Sequence, residues 1–129
     1  MRYLLDTHTL IWFIENHDLL PQKVKETINS NDNEIYISVI TLFEIAIKIN
    51  INRLKIRFSL NDLIKDIQQQ GFEIIGIYEA HLYKYITLPL IHRDPFDRIL
   101  VATAISEKLK LITSDKENQL YNVEWMWEK

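Results

Sequence analysis

The residues from His92 to Asp115, HRDPFDRILVATAISEKLKLITSD, leave this chain few ways to fold. Two acids three residues apart open a helix. Asp94 has the place of an N-cap, Pro95 the first helical position, where its missing N–H would go unpaired anyway, and Asp97 the third. From Ile99 to Ile105 apolar and small residues occupy every side, the pattern of a helix covered on both faces rather than of a surface stripe. Leu111-Ile112-Thr113 is then a short buried strand, with Ser114 and Asp115 just past its carboxyl end. In open α/β folds ligands bind at that edge of the sheet.

The rest of the chain repeats the alternation. Strands are predicted at Tyr3-Leu4-Leu5, Ile35-Tyr36-Ile37, Phe72-Glu73-Ile74-Ile75 and Val123-Glu124-Trp125-Met126. Between them lie helical patterns: Thr9 to Glu15, Pro21 to Ile28, Ser38 to Ile49, Leu60 to Gln70 capped by Ser59 or Asn61 and stopped by Gly71, and Glu79 to Tyr85. Lys116 to Leu120 adds one helical turn. Strands separated by helices pair in parallel, which predicts an α/β fold with a helix-covered sheet. At 129 residues with two Gly and three Pro, the expectation is one domain spanning 1–129 without a linker. Cysteine is absent, which excludes disulfides and thiolate metal sites. The start, Met1-Arg2-Tyr3-Leu4-Leu5-Asp6, meets a charge too soon for a signal peptide. The richest apolar stretch, Val39 to Ile49, is broken by Glu44 and Lys48 and falls short of the roughly 20 residues a bilayer needs. A cytoplasmic protein with no membrane partner is expected.

Four acids stand out. Asp6 and Asp115 each follow a strand, where either an N-cap or a functional group fits. Asp97 is either the acidic third residue of a capping arrangement with Asp94 or a functional group. Glu44 and Lys48 are the only charges in their helix, spaced as a surface ion pair, yet a helix apolar on all sides offers little solvated face for one. In a parallel sheet the strand-end acids share one edge. Crowded carboxylates repel and raise one another's pKa unless divalent cations neutralise them, and an all-oxygen ligand set suits Mg²⁺, or Mn²⁺ in its place. Without these four acids the formal charge of −3 becomes +1, a surface an anionic substrate tolerates.

The segments Leu4 to Trp12 (LLDTHTLIW), Ser38 to Lys48 (SVITLFEIAIK), His92 to Arg98 (HRDPFDR) and Leu111 to Asp115 (LITSD) together resemble the PIN-domain family, specifically the VapC-type toxins of type II toxin–antitoxin pairs. The likeness covers nearly the whole chain in the right order and spacing, with no acid missing. It implies a three-layer α/β/α sandwich around a mainly parallel sheet. It also implies Asp6, Glu44, Asp97 and Asp115 as catalytic metal-site residues, with Thr7 and Thr113 or Ser114 as supporting groups. The implied activity is metal-dependent endoribonuclease cleavage. The implied partners are RNA, a small antitoxin protein that blocks the site, and a second copy in a homodimer.

Once metals are granted, phosphodiester hydrolysis needs no histidine base. Metal-bound hydroxide is expected to attack in line, with Asp6, Asp97 and Glu44 holding the principal ion and Asp115 completing the site or helping a second. Such cleavage leaves a 5′-phosphate and a 3′-hydroxyl. His8 and His92 flank the acids but are read first as structural or surface groups, and His17 and His81 have no acidic motif around them. Arg98 either contacts phosphate or is a solvated helix residue. Lys48, Arg53, Lys55 and Arg57, with Arg93 and Lys116 across the cleft, either track an RNA backbone or form a solvated face. Trp12 and Phe13 either pack in the core or line a groove for a partner helix. A phosphoaspartyl transferase is disfavoured because His8 stands where its second Asp belongs. The rival that survives is a non-catalytic PIN-like module that binds RNA or protein.

Overall fold

Strands β1 (Arg2–Leu5), β2 (Glu34–Ser38), β3 (Glu73–Ile75), β4 (Lys110–Ile112) and β5 (Trp125–Met126) form one sheet in the order β3-β2-β1-β4-β5. All four pairings are parallel, with Leu5 opposite Ile112 and Leu4 opposite Tyr36. The structure is a computed structural model that describes residues 1–54 and 59–128. Among the described residues six α-helices connect the strands: α1 (Thr7–Ile14), α2 (Gln22–Asn29), α3 (Val39–Asn50), α4 (Leu60–Gln69), α5 (Glu79–Tyr85) and α6 (Pro95–Glu107). Among the described residues, no helix is long and apolar enough to cross a membrane.

Side-chain alternation along β1 divides the interior in two, as the period of a strand requires. Tyr3 and Leu5 belong to one apolar cluster with Leu10 of α1, Val24 and Ile28 of α2, and Leu63 and Ile67 of α4. Leu4 belongs to the other, with Leu100, Val101 and Ala104 of α6 and with Leu111 and Tyr121. The result is the expected α/β/α sandwich. α6 begins as its sequence requires, with Asp94 capping Phe96 N at 2.9 Å and Pro95 at the first helical position, and Arg98 to Ala104 are all buried. Gly71 ends α4 region with a φ of 84°, a conformation that glycine adopts without a Cβ penalty.

Three expectations change. The last strand, expected from Val123, is only Trp125–Met126, and the turn expected over 116–120 is a 3-10 helix at Asn118–Leu120. More consequentially, α3 is not buried on all sides. Thr41, Leu42 and Ile45 are buried, while Phe43 is 56% exposed and Val39 42%. Periodicity alone does not separate a helix covered all round from one whose outer face is apolar but uncovered.

Candidate active site

The strand order reverses direction beside β1: β2 and β3 lie on one side of it, β4 and β5 on the other. At such a switch point the connections leaving neighbouring strands diverge and open a crevice at the carboxyl edge. Asp6 stands there at the end of β1, and Thr113, Ser114 and Asp115 stand beyond the end of β4. A cleft of about 200 Å³ at this edge is lined by Asp6, Thr7, His8, Ile11, Glu44, Lys48, Asp94, Asp97, Ser114 and Asp115. The four acids singled out from the sequence therefore face one space.

Each acid has a local anchor. Asp6 accepts from Thr9 N at 2.9 Å and so caps α1. Asp115 accepts from Glu117 N at 2.8 Å and Asn118 N at 3.4 Å. Glu44 takes a hydrogen bond from the Thr7 hydroxyl at 2.7 Å on Oε1 and meets Lys48 Nζ at 3.2 Å on Oε2. Asp97 Oδ2 lies 3.6 Å from His92 Nε2. For Asp6, Asp115 and Glu44 the capping or ion-pair reading and placement in the cleft hold together, because a carboxylate has two oxygens and several lone pairs.

The charge is poorly compensated. Burial raises the pKa of Asp6, with hydrogen bonds from the Thr113 hydroxyl and from Thr9 acting in the opposite direction. Asp97 is pushed up to about 7, first by burial and then by the negative charges of Asp94, Asp6, Asp115 and Glu44. Among the described residues, Lys48 is the one lysine or arginine that lines the cleft. Five carboxylates and one ammonium make an oxygen-rich donor set whose chemistry fits a hard divalent cation. Preassembly is less complete. Among the described residues no three His, Cys, Asp or Glu side chains converge closely enough to hold an ion as they stand.

A family model described as the PIN domain matches residues 3–125. The chain belongs to the PIN-domain family. Ribonuclease VapC22 of Mycobacterium tuberculosis (strain ATCC 25618 / H37Rv) is 25% identical to it over 114 residues, 88% of this chain and 86% of that protein. Among solved structures, VapBC2 from Rickettsia felis bound to a DNA fragment from its promoter is similar with a TM-score of 0.73 and 24% identity, covering 98% of each chain. DNA-bound VapBC from Salmonella typhimurium is similar with a TM-score of 0.69 and 18% identity, covering 98% of this chain and 97% of that one. At these identities the structural likeness speaks for the fold.

Within this PIN domain the remaining sequence candidates fall in different places. Thr7, Lys48 and Ser114 line the cleft, while Thr113 is buried beneath it and accepts from Asp115 N at 3.1 Å. Arg98 corrects both of its expectations. It is neither solvated nor in the cleft: it is 7% exposed, and its Nη1 donates to Pro89 O at 2.9 Å and Tyr121 Oη at 3.0 Å. One helical step beyond Asp97 turns its side chain to the α6 underside, where its guanidinium also lies 5.0 Å from the Tyr85 ring centre.

Arg53, Arg93 and Lys116 are exposed and outside the cleft lining, and Lys55 and Arg57 lie outside the described residues. Trp12 and Phe13 pack partly buried against the larger core, Trp12 stacked on His17 at 4.8 Å and Phe13 against Phe72 at 5.8 Å. His81 is fully buried, paired with Glu107 at 2.7 Å far from the acids. Asp94 was legible only as a cap, although it also lines the cleft. Asn118 and Tyr121, both buried beside the site, carried no sequence signal beyond their nearness to Asp115.

Proposed function

We propose that this chain, as one PIN domain over residues 1–129, is a Mg²⁺- or Mn²⁺-dependent endoribonuclease, the toxin of a toxin–antitoxin pair acting in the cytoplasm. The observation that carries the reading is the poorly compensated negative charge that the cleft gathers at the switch point, where burial and then the charges of Asp94, Asp6, Asp115 and Glu44 raise Asp97 to about 7. The likeness to Ribonuclease VapC22 supports the substrate class. Asp6, Glu44 and Asp97 would hold the principal ion, and Asp115 would complete the site or serve a second. When bound, a divalent cation supplies an acidified water and takes up charge on the phosphoryl and leaving oxygens.

The protein's part is placement. The Thr7 hydroxyl and Lys48 fix the two oxygens of Glu44 so that the carboxylate keeps one orientation. Lys48, at the exposed side of the cleft, offers an approaching phosphate a cationic partner in the lining. Buried Asp6 and half-buried Asp97 supply negative charge where little water screens it.

The test is cleavage of RNA by purified protein with Mg²⁺ or Mn²⁺ and with excess EDTA. Cleavage leaving 5′-phosphate and 3′-hydroxyl ends, and its loss in EDTA, is the expected result; full activity in excess chelator would sink the metal mechanism. The second reading, a non-catalytic module that binds RNA or protein, draws on the local anchors that already occupy the acids. Binding of RNA or a protein partner without turnover in either metal would favour it.

The partners proposed are RNA, a small antitoxin and a second copy. Trp12, His17 and Trp127 form an aromatic group beside His8 and Ile11 of the cleft rim, a surface fitted to an apolar antitoxin helix that also directs a basic side chain toward the acids. Exposed Leu82, Tyr83 and Ile86 at α5 supply apolar area for a homodimer.

A further inference from the structure

Two segments far apart in sequence each bring one acid to the cleft: the start of α6 brings Asp97, and the turn after β4 brings Asp115. Among the described residues no backbone–backbone hydrogen bond joins residues 92–98 to residues 113–121. What joins them is a run of buried side chains. Arg98 Nη1 donates to Tyr121 Oη at 3.0 Å, and Tyr121 Oη lies 2.8 Å from His92 Nδ1. His92 Nε2 lies 3.1 Å from Asn118 Oδ1 and 3.6 Å from Asp97 Oδ2. Asn118 in turn donates from Nδ2 to the Thr113 hydroxyl at 3.4 Å and from its backbone N to Asp115 Oδ1 at 3.4 Å.

One set of donor directions satisfies the run: Tyr121 accepts from Arg98, which can only donate, and points its own O–H at His92 Nδ1. Asn118 Oδ1 can only accept, so His92 carries its hydrogen on Nε2, the nitrogen that faces Asp97. Every member is used, and Tyr121 is 3% exposed and Asn118 1%, so water offers no substitute partners.

We propose that His92 and Asn118 are positioning residues for the cleft: His92, fixed as an Nε2 donor by Tyr121 and Arg98, sets the carboxylate of Asp97, while the Asn118 side chain holds His92 and the Thr113 hydroxyl beneath Asp6. Neither touches substrate. Their effect is to hold acids from two separate segments in one arrangement toward a divalent cation, so the inference rests on the metal reading given above. Groups that orient metal ligands in this way commonly change metal affinity 10–100-fold when removed.

The test measures Mn²⁺ affinity by calorimetry and metal-free melting temperature for the wild type, His92→Leu, His92→Gln and Tyr121→Phe. The Gln side-chain amide reaches the position of Nε2 and can donate from it, whereas Leu fills the space without a donor. His92→Leu should weaken Mn²⁺ binding about tenfold or more. His92→Gln should restore it to within about threefold and Tyr121→Phe should fall between, without the melting temperatures following the same order. A role in fold stability alone predicts that affinity stays level while melting shifts. Affinity of His92→Leu within about twofold of wild type overturns the proposal. If His92→Leu does not fold, unchanged affinity in Tyr121→Phe overturns it instead, since that variant keeps the packed ring. A wild type that binds no Mn²⁺ removes the metal reading and this inference together. One that binds Mn²⁺ and cleaves no RNA removes only the ribonuclease reading.

Discussion

Asp97 couples the site to pH. Its carboxyl titrates near 7 in the folded protein against an ordinary value of 3.8, because burial and four neighbouring carboxylates disfavour the ionised form. The folded state therefore binds this proton more tightly than the unfolded chain. The stability so contributed is fully present below about 4 and is lost as pH rises through about 7. The metal-free protein should accordingly melt at a lower temperature at pH 8 than at pH 5, and Asp97→Asn should flatten that dependence. Added Mn²⁺ should raise the melting temperature of the wild type most at the higher pH, since cation and proton compete for the same carboxylate. Melting curves across pH 5 to 8, with and without Mn²⁺, check both. A wild type whose melting temperature climbs steadily over that range, or an Asp97→Asn variant with an undiminished Mn²⁺ response, would contradict the assignment. The same substitution should cost RNA cleavage orders of magnitude.

Among the elements, the start of α6 does two jobs with two acids. Asp94 caps the helix through Phe96 N and Asp97 N, at 2.9 and 3.3 Å, and its charge is the largest of the four that raise Asp97. Asp94→Ala should therefore cost about 1 kcal/mol of stability in urea titrations. It should also move the pH midpoint of the Asp97 effect downward and leave the Mn²⁺ response in place. If Asp94→Ala abolished the metal response while Asp97→Asn kept it, the roles of the two acids would be reversed. At the other end α6 closes on Lys108 in the left-handed conformation, φ 58°, where glycine or asparagine is the usual signal. No sequence pattern announces that end. The backbone turns there because Lys108 N and Leu109 N take up carbonyls of the last turn, Ile105 O at 3.3 Å and Ala104 O at 2.9 Å, and Leu109 is then buried.

For the molecule as a whole, the cleft and its aromatic rim form one continuous surface. His8 lines the cleft and lies 6.2 Å from Trp12, whose ring stacks on His17 and approaches Trp127 at 6.3 Å. A partner that covers this rim also covers the acids, which is the geometry an inhibitory antitoxin needs. Trp12→Ala should weaken antitoxin binding by at least tenfold in a titration while leaving the fold intact by circular dichroism, about the loss expected of a central aromatic anchor. Unchanged affinity in a folded variant would rule out docking at this rim. Expression of the chain alone should arrest growth, and co-expression of the proposed antitoxin, sought as a small protein encoded beside it, should relieve the arrest.

Local chemistry determines much of this protein. Asp94-Pro95 fixed where α6 begins, the apolar runs fixed the strands, and the strand–helix alternation fixed parallel pairing, because each depends on backbone geometry within a few residues. The four acids that line the cleft stood out for the same reason, as charges at strand ends, at a helix start and within an apolar helix. Tertiary structure alone decided the rest. The expectation that α3 has little solvated face fails at Phe43 and Val39, which are exposed, while the Glu44 side chain itself is only 14% exposed. Glu44 faces the cleft and forms the Lys48 pair as well. Arg98, adjacent in sequence to Asp97, is buried away from the acids under Tyr121 and Tyr85, because one residue along a helix turns a side chain by about 100°. Each step of the run from Arg98 through Tyr121 and His92 to Asn118 joins residues more than 20 positions apart in the sequence. Periodicity reports which side of an element is apolar, and only the packing of elements against one another determines what that side meets.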